Sequence, residues 1–96
     1  MVDIVRELRS YSIEVFVHDP EADPEEAMRE YGIALVAWND LPRADALVAA
    51  VAHRGFLALE ADDFARKLIK GGAFIDVKSA YDAAGLRAAG IGVWRL

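Results

Sequence analysis

Five short runs of apolar, β-favouring residues recur along this chain, with helix-length segments or turns between them. The runs are 13–17 (IEVFV), 33–37 (IALVA), 46–52 (ALVAAVA), 73–77 (AFIDV) and 91–94 (IGVW). When a helix follows a strand, the next strand returns in the same direction. The alternation therefore dictates an α/β fold with a mostly parallel sheet. Run 46–52 lies between Asp45 and His53 and holds no charge. It reads as a central strand covered on both faces.

The helical segments carry their own punctuation. Val2, Val5 and Leu8, with Ile4 beside them, put one apolar stripe on a helix over 2–10. Only Met1 precedes that helix, with no capping residue, which reads as a chain cut from something longer. Asp23-Pro24-Glu25-Glu26 is a strong helix start: Asp23 caps, Pro24 suits the first helical position, and Glu26 has capping-box spacing. Gly32 ends that helix. Residues 39–42 read as a loop or single turn. A helix over 61–70 turns Phe64, Leu68 and Ile69 inward and stops at Gly71-Gly72. Asp62 and Asp63 in its first turn and Lys67 and Lys70 in its last suit the helix dipole. A last helical stretch, 81–89, is weakened by Gly85. Trp38 and Trp94 read as packing residues.

Composition narrows the function. Ninety-six residues suffice for one domain, so 1–96 is read as a single unit. The absence of cysteine excludes a disulfide framework, a Cys-based zinc site and a thiol nucleophile. The uncharged runs, 46–53 among them, are too short to span a bilayer, and Asp3, Arg6 and Glu7 interrupt any signal-peptide core. The reading is a cytoplasmic protein with no membrane contact. Net charge is −5 and the pI about 4.9, which excludes a duplex-binding surface and leaves no nucleic-acid partner. The charge is uneven. Six acids against one base lie within 19–30, and six bases against two acids within 64–96. A small anionic ligand fits the basic half.

Catalytic signatures are missing. There is no GxSxG, HExxH, Walker loop or GxGxxG, and the two histidines lie 35 positions apart, so neither a catalytic residue nor a metal site is assigned. Ligands of doubly wound sheets bind outside the carboxyl ends of the strands. Three strand ends deliver polar residues there: His18-Asp19, His53-Arg54 and Lys78-Ser79. Lys78 and Arg54 suit a phosphate, with Ser79 as a hydroxyl donor. The plainer alternative stays open, since any strand end meets solvent: Asp19 then caps a turn at Pro20, and His53 satisfies a loop carbonyl.

The runs VHDPEADPEE, ADALVAAVAHRGF and DVKS, in this order and spacing, resemble the C-terminal domain of the UDP-glucose/GDP-mannose dehydrogenase family. The likeness is nearest to the branch that oxidises UDP-N-acetylhexosamines. It extends over nearly the whole chain. It implies a Rossmann-like, three-layer α/β/α sandwich that helps to hold the UDP part of the substrate. Family members oxidise the sugar C6 hydroxyl to a carboxylate with two hydride transfers to NAD, for surface polysaccharide synthesis. By the same resemblance, Lys78 and Ser79 stand where relatives place residues near the nucleotide, and His53 and Arg54 are the weaker candidates. The NAD fingerprint and the catalytic cysteine are missing, so the chain is expected to be inactive by itself and to bind UDP or a UDP-sugar without NAD.

The resemblance also implies a missing element. The family's first strand, glycine-rich and central in the sheet, lies between the strands matching 13–17 and 46–52. Without it, two apolar edges carry unpaired backbone groups. Either those strands pair directly into a five-stranded sheet, or another chain fills the gap, as in a homodimer or strand-swapped dimer. A competing class is a stand-alone Rossmann-like interaction module without ligand, with the acidic helix face from Glu25 to Glu30 as its binding surface.

Overall fold

The computed structural model describes residues 2–96, apart from the side chain of Val2. Met1, and with it the absent cap before the first helix, lies outside the described residues. The chain divides into two compact units that meet in sequence at Leu41-Pro42.

The first unit opens with helix α1 (Val2–Ser10). Val5 on its apolar stripe is buried with Val17 and Ile33, and Val15 and Leu35 pack partly buried against them. Helix α2 (Pro24–Tyr31) follows the reading of its ends. Asp23 Oδ1 accepts a hydrogen bond from the Glu25 amide at 2.9 Å. Gly32 takes the left-handed conformation at φ 65°, where a side chain is strained, and donates its N–H to the Met28 carbonyl at 3.0 Å. No residue of α2 is buried. A single 3-10 turn, Trp38–Asp40, closes the unit.

Runs 13–17 and 33–37 do not form the strands expected of them. They meet at one parallel bridge, Val17 with Leu35, supported by the Val36 amide donating to the Val17 carbonyl at 2.8 Å. Ile13 and Phe16 are about half exposed. A ribbon of two such segments is marginal without further neighbours.

The second unit holds a wholly parallel sheet of β1 (Ala44–Ala49), β2 (Leu68–Asp76) and β3 (Gly92–Arg95), in that spatial order. Helices α3 (Arg54–Leu57), α4 (Ala61–Ala65) and α5 (Ala83–Ala88) occupy the connections. The α/β class with parallel strands holds. Phe74 at the centre of β2 is wholly buried, and its ring meets Phe64 of α4 and Tyr81 edge-on, with centroids 5.1 and 5.2 Å away. Leu68, Leu86, Ile91 and Val93 complete the core of this unit.

Further expectations are corrected here. Run 46–52 yields β1 ending at Ala49, and β1 is an edge strand; the central position belongs to β2. The five-stranded, directly paired sheet does not form, because the sheet has three strands. The helix over 61–70 stops at Ala65, because the Lys67 carbonyl accepts the Ala44 amide at 3.0 Å and Leu68 already pairs with Ala44. Gly71-Gly72 therefore lies inside β2, where the register jumps from Ala44↔Leu68 to Ala46↔Ala73 and Gly71 has φ 77°. Ile69 in that irregular stretch is 44% exposed and does not face the core. Trp94 is 60% exposed, and its ring lies so close over Gly92 that a Cβ there would meet it at 2.9 Å. It shields a glycine and is not buried.

Candidate functional site

Parallel strands bring their carboxyl ends to one edge, and the second unit places most of the polar strand ends there. His53 and Arg54 follow β1, Lys78 and Ser79 follow β2, and Arg95 and Leu96 end β3. The amide of Val77 donates to the Ala49 carbonyl at 3.1 Å, which fixes the β2 exit beside the β1 exit. His18 and Asp19 belong to the first unit and have local roles. The ring Nδ1 of His18 donates to the Val36 carbonyl at 2.8 Å, and Trp38 packs edge-on at 5.7 Å. Asp19 Oδ1 accepts the Glu21 amide at 3.0 Å, the turn-capping role left open by the sequence.

Lys78 sits on the turn directly after β2. Its side chain is exposed, and among the described residues no hydrogen bond or ion pair engages it. Ser79 has φ 52°, an uncommon value for a residue with a side chain. Its Oγ donates to the Leu96 backbone oxygen at 2.8 Å, so that proton is committed. Arg54 opens α3 with its side chain exposed. His53, partly buried, has its ring 5.6 Å from that of Phe56.

The group that organises this edge is Asp76, which the sequence reading did not single out. It is wholly buried at the end of β2. Its Oδ1 accepts the Ala80 amide at 3.2 Å and its Oδ2 the Tyr81 amide at 2.9 Å, so one carboxylate closes the whole Lys78–Ser79 turn. Arg95 Nε lies 4.0 Å from Oδ2. A buried carboxylate is tolerated when donors and a cation compensate it. The available signal was Asp76 itself, an acid within the apolar run 73–77. The Tyr81 hydroxyl donates to the Val51 carbonyl at 3.0 Å and ties the turn to the exit of β1. Burial, and next the Asp76 carboxylate, push the Tyr81 phenol above its ordinary value of 10.0.

A groove of about 520 Å³ adjoins the turn, lined by Phe64, Tyr81 and Leu86 together with the acids Glu60 and Asp82. Those acids disfavour an anion inside it, whereas the exposed cations of the edge are Arg54, Lys78 and Arg95. The residues also do not fit NAD. The helices after β1 and β2 open on His53 and Asp82, without the glycine turn that lets a pyrophosphate approach the backbone, and the Asp82 carboxylate occupies the α5 start through the Gly85 amide at 3.1 Å. Among the described residues no three His, Cys, Asp or Glu side chains gather as a metal site. No helix among them is long and apolar enough to cross a membrane.

The model for the UDP binding domain of the UDP-glucose/GDP-mannose dehydrogenase family matches residues 1–83. The UDP-N-acetyl-D-glucosamine 6-dehydrogenase of Pseudomonas aeruginosa is 46% identical over 70 residues, 73% of this chain and 16% of that protein. The enzyme of the same name from Salmonella typhi is 40% identical over 63 residues, 66% of this chain and 15% of its own length. Protein CapL of Staphylococcus aureus is 32% identical over 62 residues, 65% of this chain and 15% of that protein. The matched regions thus span about a sixth of the length of these curated relatives.

Proposed function

Because this chain belongs to the UDP-glucose/GDP-mannose dehydrogenase family, through its UDP binding domain, we propose that it binds UDP or a UDP-sugar at the carboxyl edge of β1–β3. Lys78 contacts a phosphate, and Arg54 adds a second positive charge nearby. Ser79, its proton given to Leu96, accepts through Oγ from a hydroxyl of the ligand, and His53 borders the same edge. The observation that carries this reading is the exposed, unengaged ammonium of Lys78 on a turn pinned by a buried carboxylate. A charge-assisted contact from a fixed turn gains affinity without a large ordering cost.

In this reading the parent activity is an NAD-dependent oxidation of the C6 hydroxyl of a nucleotide sugar to a carboxylate, serving surface polysaccharide synthesis in the cytoplasm. The present residues supply binding alone. With no cysteine and no NAD-binding turn, these 96 residues by themselves turn over no substrate. The domain is one functional unit over 1–96. β1 hydrogen-bonds through one edge only among the described residues. A second copy, in a homodimer or strand-swapped dimer, covers the other edge.

Calorimetric titration with UDP tests the site. Saturable binding is expected, weakened about ten- to a hundredfold in Lys78→Ala, the range for loss of a hydrogen bond to a charged group. A folded chain that takes up no UDP, or a Lys78→Ala variant that binds as well as the parent, overturns the site. Light scattering that returns a monomer at every concentration overturns the dimer.

A further inference from the structure

The last strand does more than complete the sheet. Arg95 reaches from the end of β3 to the turn after β2: its Nη2 donates to the Ser79 carbonyl at 2.9 Å, and its Nε stands 4.0 Å from Asp76 Oδ2. The Leu96 amide donates to the Asp76 carbonyl at 3.2 Å, and the Leu96 backbone oxygen accepts from Ser79 Oγ at 2.8 Å. The turn that carries Lys78 is thus gripped from inside by Asp76 and from outside by Arg95 and Leu96. Arg95 is about half exposed, so packing does not account for its place. It also lies beyond residues 1–83, where the family model matches.

From this we infer that Arg95 is a positioning residue: it holds the Lys78–Ser79 turn in the conformation that presents the Lys78 ammonium to a ligand phosphate. The inference rests on the UDP reading above for its ligand and on the structure for its mechanism. A left-handed residue such as Ser79 persists only where its surroundings determine it. Arg95 on the Ser79 carbonyl is part of that determination. Its charge also compensates Asp76, the acceptor for both following amides. Without Arg95 the turn samples other conformations, and Lys78 has to be reordered each time a phosphate binds.

The test joins amide exchange by NMR with UDP titration on the whole chain, as the parent, Arg95→Ala and Arg95→Lys. In Arg95→Ala the Ala80 and Tyr81 amides are expected to exchange about tenfold faster, with the Phe74 amide and the far-UV spectrum unchanged. UDP affinity is expected to fall about tenfold in the same variant. Arg95→Lys keeps a cation and a donor and is expected to restore most of both. Unchanged exchange at Ala80 and Tyr81 overturns the inference whatever UDP does. Faster exchange with unaltered UDP affinity overturns it as well. If exchange responds but the parent chain binds no UDP, the ligand reading fails, and Arg95 stands as the group that orders the turn.

Discussion

Run 13–17 holds Ile13, Val15, Phe16 and Val17, and 73–77 holds Phe74, Ile75 and Val77; by composition the first is the better strand. The structure ranks them the other way. The first is held by a single bridge to Leu35, whereas the second supplies the C-terminal part of β2, paired on both sides from Ala73 to Asp76. The difference lies in the neighbours. β2 has β1 and β3 at its edges and Phe64, Tyr81 and Leu86 in the core around it. Val17 has one partner segment and a core of three buried residues. Strand formation here follows cross-strand pairing and burial and overrides local propensity.

The strongest way to break this contrast is to remove its best-packed residue. Phe74→Ala is expected to cost about 3–5 kcal/mol in urea unfolding, and Phe16→Ala, at a half-exposed position, less than about 0.5 kcal/mol. Equal losses would mean that Phe16 is packed as closely as Phe74. Amide exchange sharpens the same point. The Phe74 and Ile75 amides of β2 should be protected about a hundredfold more than the Val36 amide at the bridge, as the free energies of local opening differ that widely within a protein.

Alkaline pH separates the two units next. The Tyr81 phenol has its folded pKa raised above the unfolded 10.0. The unfolded chain therefore loses this proton first, and stability present below pH 10 declines as pH rises from 10.0 toward the folded value. Urea midpoints measured at increasing alkaline pH should show this decline and show it reduced in Tyr81→Phe. That variant also loses the bond to Val51, about 1 kcal/mol at neutral pH. A smaller effect belongs to the first unit. Asp23→Ala removes the cap of α2 and should cost about 0.5–1 kcal/mol, read as a small loss of helical signal on heating.

Much of this architecture was legible in the residues. The parallel α/β order follows from the alternation of runs, and α2 is legible to the residue because Asp23, Pro24 and Gly32 act locally. The failures share one cause. Ending the helix at Ala65, making Leu68 a strand residue and leaving β1 at an edge all depend on partners distant in sequence. The site divides in the same way. Lys78 and Ser79 could be named from the run that holds them. The grip of Arg95 on their turn spans 16 residues and appears only once β2 and β3 are side by side.

The jump in register within β2 has a consequence of its own. Between Ala44 and Ala46 on one strand, the partner advances from Leu68 to Ala73, so three residues more than the ladder needs are looped out around Gly71. Downstream of them the pairing is regular from Ala73 to Asp76. Length can therefore be added or lost at Lys70–Gly71 without moving Phe74 or Asp76 against their neighbours. A spectroscopic label or a short affinity peptide belongs there, where it lengthens the chain and leaves the carboxyl edge as it is.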